Sequence, residues 1–209
     1  MRIVLASGNR GKLKELDALL VPLGHEVIAQ SELGIDSPPE TGSTFLENAL
    51  LKARHAAQAS GLPALADDSG LEVDALDGRP GVHSARYAGE TATDIENLRK
   101  LLVELTGVAA DLRTARYQCA IAFVRSADDA DPIVTYGTWE GRILTMPRGT
   151  GGFGYDPVFV PAGVDQSVAE LDAAQKNQLS HRGQALQALI DRLDQEEPLS
   201  GTNGADGSP

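Results

Sequence analysis

Apolar positions along the chain fall into two periods. RIVLAS (2–7) is a short apolar run closed by Gly8, which predicts a buried strand. In KLKELDALLVPLG (12–24), Leu13, Leu16, Leu19, Leu20 and Leu23 recur at helical spacing, with Gly24 as a stop signal. HEVIAQ (25–30) returns to a strand-like run, so the opening reads as a βαβ unit. A second helix is predicted from Thr44. Thr44 and Glu47 have capping-box spacing, Leu46, Ala49, Leu50, Ala53 and Ala57 form an apolar stripe, and Gly61 ends it. PALADD (63–68) predicts a strand running into a turn at Ser69-Gly70, with LEVDAL (71–76) as the return strand. Thr93 and Glu96 repeat the capping-box spacing ahead of Ile95, Leu98, Leu101, Leu102 and Leu105, and Gly107 closes that helix. RTARYQCAIAFVRS (113–126) and IVTYGTWEGRIL (133–144) predict an antiparallel hairpin, DPVFVP (156–161) a short strand, and the last two helices fall around 167–177 and 180–195. The alternation predicts an α/β fold with a mixed sheet.

Composition narrows the picture. With 209 residues, 42% hydrophobic and 23% charged, the chain fits one globular domain over 1–195 with a real core. EEPLSGTNGADGSP (196–209) has one large apolar residue, Leu199, and reads as a disordered tail. No apolar run approaches the ~20 residues of a membrane helix, and MRIVLASGNRGK does not read as a signal peptide. No membrane partner and a cytoplasmic location are therefore expected. The formal net charge of −12 argues against a nucleic-acid partner, which needs a broad basic face. A small phosphorylated ligand needs only a few local cations and a metal. The single cysteine, Cys119, cannot form an internal disulfide and reads as a buried small hydrophobe, and Trp139 reads as a packing residue.

Four segments concentrate chemistry. In SGNRGK (7–12), Gly8 and Gly11 admit a close ligand, a helix start supplies free N–H groups, Lys12 adds charge, and Asn9 both donates and accepts. This is phosphate-binding logic without a Walker A or GxGxxG pattern, and a plain helix-start turn explains it equally well. In ADDSG (66–70), Asp67 and Asp68 cannot share a face within a strand, but at a turn both could reach one centre. Hard oxygen ligands suit Mg²⁺, with Glu40 and Glu47 able to contribute, although a simple turn is the favoured local reading. GTGGFGYDP (149–157) sets Phe153, Tyr155 and Asp156 among glycines, which suits stacking on a planar base. In KNQLSHRGQAL (176–186), Ser180 is a candidate N-cap that puts His181 and Arg182 in a first helical turn. Cations there oppose the helix dipole and call for an anion, either a ligand or a structural carboxylate.

In this order, SGNRGKLKE, ETGSTFLENALLKA, ADDSGLEVDALDGRPGVHSARYAG, GTGGFGYDPVF and AAQKNQLSHRGQAL resemble the inosine triphosphate pyrophosphatase (Ham1) family, the bacterial dITP/XTP type, from Ser7 to Leu186. The resemblance implies a mixed α/β sheet in two lobes around a central cleft, usually in a homodimer. It also implies Mg²⁺-dependent hydrolysis of ITP, dITP or XTP to the monophosphate and pyrophosphate, which cleanses the nucleotide pool. By the same resemblance, Ser7, Gly8, Asn9, Arg10, Gly11 and Lys12 bind the triphosphate. Asp68 is the proton-accepting acid at the metal, Asp67 and Glu40 are its metal partners, and Ser69 touches substrate. Phe153, Gly154, Tyr155 and Asp156, followed by Lys176, His181 and Arg182, recognise the base. Ser7 stands where Thr is frequent, and His83 where Tyr is common. Discrimination is expected at the purine 6-position: a donor from His181, Arg182 or a backbone N–H accepts a carbonyl there and leaves adenine mispaired. A Maf-type pyrimidine nucleotide pyrophosphatase and a non-catalytic nucleotide sensor are the alternatives.

Overall fold

The computed structural model describes residues 2–21 and 26–196. β1 (Arg2–Leu5), α1 (Arg10–Leu20), β2 (Glu26–Ala29) and α2 (Phe45–Ser60) precede the long strand β3 (Ala64–Val73). α3 (Asp94–Glu104), β4 (Thr114–Val124), β5 (Ile133–Ile143), β6 (Phe159–Pro161), α4 (Ala173–Leu179) and α5 (His181–Glu196) follow. The strands form one six-stranded sheet in the order β2-β1-β3-β4-β5-β6. β1 runs parallel to β2 and β3, and β3 to β6 are antiparallel, so the expected mixed α/β sheet forms. Among the described residues no helix is long and apolar enough to cross a membrane.

Alternation along the strands distributes the core. Ile3, Leu5, Leu65, Ile121 and Phe123 face α1 and α5, where Leu16, Leu20, Leu186 and Leu189 cover them. Their sequence neighbours Val4, Ala64, Ala66, Ala122 and Val124 face α2 across its alanine stripe, Ala49, Ala53, Ala56 and Ala57. A third cluster around Leu71, Leu101, Tyr117, Trp139 and Phe159 fills the other end of the long strands, under α3. Polar residues of β3, Asp67 to Ser69, lie between these two ends.

Two local expectations are corrected. The Ser69-Gly70 turn does not exist: β3 is one ten-residue strand, paired without interruption to β4 from Ala64↔Val124 to Val73↔Ala115. Asp, Ser and Gly carry turn propensity, but the unbroken ladder with β4 prevails, and the Leu71 N–H finds the Ser84 hydroxyl. Gly70 serves another end, since a Cβ on it would lie 2.4 Å from the Gly81 carbonyl oxygen. Likewise 167–177 is not one helix. Ser167 with Glu170 and Asp172 with Gln175 make two successive capping boxes, so a short 3-10 turn, Val168–Glu170, precedes α4. The box at Thr93 and Glu96 forms in full. At α2 only half forms: Thr44 caps Glu47, whose carboxylate instead accepts from the Ser43 N–H. The readings of Leu23, Gly24, His25 and the tail from 197 onward lie outside the described residues.

α5 lies directly on β5 at Gly137, where a Cβ would stand 1.9 Å from the His181 carbonyl oxygen and 2.9 Å from the Ala185 amide nitrogen. Both atoms are backbone and cannot swing aside. Gly137→Ala is expected to destabilise the fold by at least ~1–3 kcal/mol, read as a lower urea midpoint. An unchanged midpoint would contradict this close helix-on-strand seating.

Candidate active site

The turn from β1 into α1 is organised by its own side chains. Ser7 Oγ accepts from the Asn9 N–H at 3.2 Å, and Asn9 Oδ1 accepts from the Gly11 and Lys12 N–H groups at 2.8 and 3.2 Å. Asn9 is thus the N-cap and takes up two of the amides that the sequence offered to a phosphate. An anion finds here the Lys12 ammonium, the positive end of the helix dipole and the approach left open by Gly8. Arg10 opens α1, but its side chain lies outside the described residues.

Asp67 and Asp68 are neighbours inside β3 and therefore face opposite sides of the sheet. They are 1% and 5% exposed, so each needs cations beside it. Asp67 Oδ2 accepts from Lys12 Nζ and from Arg182 Nε, both at 3.1 Å. Burial alone would raise its pKa, but Lys12 and Arg182 hold it far below the ordinary aspartate range. Its Oδ1 is buried and finds no partner among the described residues. On the other face, Asp68 Oδ1 accepts from Lys52 Nζ at 2.9 Å and Oδ2 from Asn48 Nδ2 at 3.1 Å. Lys52 Nζ also reaches Glu40 Oε1 at 2.9 Å, and Glu40 Oε2 accepts from Arg86 at 3.1 Å. Burial raises the Asp68 pKa above its ordinary value, with Glu40 adding to the shift and Lys52 and Lys12 opposing it.

The expected metal trio is therefore split. Glu40 and Asp68 converge on one shared cation, Lys52, whereas Asp67 belongs to the cations of α1 and α5 on the opposite face. Among the described residues no three His, Cys, Asp or Glu gather as a metal cluster. Glu47 turns away, occupied by the Ser43 N–H and hydroxyl.

The glycine-rich segment takes left-handed backbone at Gly149, Gly152 and Gly154, where φ is 77°, 72° and 60°. Asp156, buried at its end, accepts from the Phe153 N–H at 2.9 Å and from Lys176 Nζ at 2.7 Å through Oδ2. Burial raises its pKa in spite of Lys176. The Lys176 ammonium also lies 4.4 Å above the Phe153 ring. Phe153 reaches across to α1, so close that a Cβ on Gly11 would stand 2.7 Å from its ring. Tyr155 is buried and donates its hydroxyl to the Ser84 carbonyl at 2.8 Å.

Ser180 caps α5, as its Oγ accepts from the Gly183 N–H at 3.1 Å. The next residue, His181, stacks on Tyr117 with ring centroids 4.7 Å apart and 7° between planes. Burial and then Arg182 hold its pKa well below the ordinary histidine value, so the imidazole is neutral at pH 7. Its Nδ1 is buried and finds no partner among the described residues. Arg182 engages Asp67, Glu15 and Ser69 through its three nitrogens, so structural carboxylates answer this first-turn cation. Of the two answers the sequence left open for this cation, a ligand or a structural carboxylate, the second is present, while Arg182 still lines the cleft.

These groups meet in a single cleft of about 310 Å³. Arg10 aside, every residue expected in the site lines it except Gly11, Asp67 and Glu47. The sequence model of the Ham1 family matches residues 3–192. The chain belongs to the Ham1 family. It is 55% identical to the dITP/XTP pyrophosphatase of Shigella flexneri over 192 residues, which cover 92% of this chain and 98% of that one. The dITP/XTP pyrophosphatase of Vibrio cholerae is 54% identical over 195 residues, 93% and 98% of the two chains. Among solved structures, a HAM1 protein from Coxiella burnetii superposes with a TM-score of 0.86 at 49% identity, covering 93% of this chain and 99% of that one. The Staphylococcus aureus Ham1 protein gives 0.83 at 42% identity, covering 94% and 100%.

In this Ham1 chain, sequence reasoning missed Lys52, Asn48, Glu15, Tyr117 and Asp94. The first two were detectable. Asn48 and Lys52 are one helical turn apart in register with the alanine stripe of α2, and both are buried. A lysine on a buried alanine face needs a buried anion opposite it. Glu15 bridges Lys176 Nζ at 2.8 Å and Arg182, a link between distant segments that no local pattern announces.

Asp67→Asn leaves Lys12 and Arg182 without their shared buried anion. It is expected to cost ~3–5 kcal/mol of stability, measured by urea unfolding at neutral pH. A depressed carboxyl contributes stability that is present above the ordinary value of 3.8 and lost as pH falls below it. The variant should therefore show a flatter decline in stability on acidification than the parent protein.

Proposed function

We propose that this chain hydrolyses non-standard purine nucleoside triphosphates, dITP, ITP and XTP, to the monophosphate and pyrophosphate; its relatives' names, dITP/XTP pyrophosphatase, support this for dITP and XTP. The observation that carries the reading is the shared cleft: the α1 start with Lys12, the Glu40–Lys52–Asp68 cluster and the Phe153–Asp156 platform line one cavity. A nucleoside triphosphate has the matching parts, a polyanion, a reacting phosphorus and a planar base.

Lys12 and the start of α1 bind the phosphate chain, and Lys12 with Lys52 offsets charge on the departing pyrophosphate. Asp68 accepts the proton of the attacking water, and Lys52 and Asn48 hold both of its oxygens in place for that role. The donor chemistry fits Mg²⁺ at Glu40 and Asp68, two carboxylates that already converge on a cation, with phosphate oxygens and water completing its shell. There the ion supplies charge neutralisation and a more acidic water. Asp67 is left out of the metal set. Phe153 offers its ring to the base. Neutral His181, with Lys176 beside it, offers N–H donors that suit a 6-carbonyl and not the amino group of adenine. A homodimer and a cytoplasmic location, where nucleotide pools are found, accompany this reading.

Product analysis across ITP, dITP, XTP, ATP and UTP, with and without Mg²⁺, tests it. Pyrophosphate is the expected first product, from the 6-oxopurines, and only with the metal. Orthophosphate as first product, or preference for UTP, would overturn the assignment, and binding without turnover would favour a sensor. Asp68→Asn is expected to lower kcat by about 10²–10⁴. Burial raises the pKa of this carboxyl in the metal-free protein, so an NMR titration without Mg²⁺ should show Asp68 taking up its proton above the ordinary aspartate range, and a midpoint at or below that range would contradict it.

A further inference from the structure

Asp94 is the first residue of α3 and lines the cleft. Thr93 and Glu96 complete the capping box of that helix between themselves, so the Asp94 side chain is not the cap. Among the described residues it is also the one cleft carboxylate outside an ion pair, since Glu40, Asp68 and Asp156 each face a lysine. Its Oδ2 instead accepts from the Gly154 N–H at 2.8 Å, across 60 residues of chain.

Gly154 is the tip of the segment that carries Phe153, and its φ of 60° makes that tip a tight left-handed bend. Tyr155 is tied to Ser84, and the Phe153 N–H is held by Asp156 from within the segment. Among the described residues, it is Asp94 that reaches the tip at Gly154 from another element. From this anchor the Phe153 ring, which lines the cleft, extends to Gly11 on α1. A carboxylate accepting from a backbone N–H is a charge-assisted bond, stronger than a neutral one.

We infer that Asp94 is a positioning residue: by accepting from the Gly154 N–H it holds the Phe153 platform in place for a planar base, and so governs how tightly substrate binds rather than how fast it reacts. The inference rests on the nucleotide reading above. Two variants separate it from a merely structural role. Asp94→Ala removes the acceptor, and Asp94→Asn keeps an oxygen there and discards the charge. With ITP and Mg²⁺, Asp94→Ala is expected to raise KM about tenfold and to change kcat less than about threefold, whereas Asp94→Asn keeps KM within about threefold of the parent. An effect on the α3 dipole would move both variants alike, since both lose the charge, and would lower Tm without moving KM. Amide exchange over 149–157, read by mass spectrometry without nucleotide, should quicken severalfold in Asp94→Ala and not in Asp94→Asn. Equal behaviour of the two variants, or faster exchange with an unchanged KM, overturns the inference. If the parent protein fails to hydrolyse ITP while exchange responds only to Asp94→Ala, the nucleotide reading falls and the anchor on the platform stands.

Discussion

Asp67 and Asp68 lie in the middle of a strand with almost no access to water, and carboxylates so placed are tolerated only where cations reach them. Since successive side chains leave a strand on opposite faces, one helix cannot serve both. Lys12 of α1 and Arg182 of α5 must come to one face, and Lys52 of α2 to the other. The hydrophobic clusters hold those three helices against the sheet, but the aspartate pair dictates their register. A shift of one turn in α1, α2 or α5 would leave a buried charge without its partner.

From Asp67 the charges alternate across the fold. Lys12 and Arg182 flank Asp67, Arg182 and Lys176 flank Glu15, and Lys176 meets Asp156 at 2.7 Å. Each inner member stands between two opposite charges, so displacing one disturbs the next. The chain of contacts runs from Lys12 at the start of α1 to Asp156 beside Phe153, and makes the two ends of the cleft one electrostatic body. Close backbone approach completes it: α5 sits on Gly137, and Gly183 lies where a Cβ would meet the Asn177 carbonyl at 1.8 Å, which brings α4 and α5 together behind the site.

Much of this was readable in the sequence where local and global preferences agree. The βαβ opening, the alanine-striped helix, the capping box at Thr93 and the 113–144 hairpin all follow period and cap signals, and they form. DDSG was misread because its residues favour turns locally, while pairing with a partner strand fifty residues on decides the matter. That error carried into the chemistry. A turn would have let both aspartates reach one metal, and a strand forbids it. Glu15 and Asp94 were invisible for another reason: each acts through a contact between segments far apart in sequence, with no spacing rule to mark it. The glycine-rich segment lay between these cases. Its composition announced unusual backbone, but not that Asp156 would fold back to hold its own Phe153 amide.

The charge carried by the cleft bears on how a polyanion could enter a chain of net charge −12. Among the charged residues that line the cleft, Lys12, Lys52, Lys176 and Arg182 are matched by Glu40, Asp68, Asp94 and Asp156. A balanced site has no surplus positive charge to attract a triphosphate, so long-range steering by the protein alone is weak. In the proposed reading that deficit is local and specific. Lys52 is shared by two carboxylates, and Lys12 is drawn towards Asp67. In that reading Glu40 and Asp68 are the carboxylates that would hold a divalent cation arriving with the nucleotide, and the cation would supply the missing positive charge. A preference for metal-loaded substrate would then rest on how these lysines are paired and not on the overall charge of the protein.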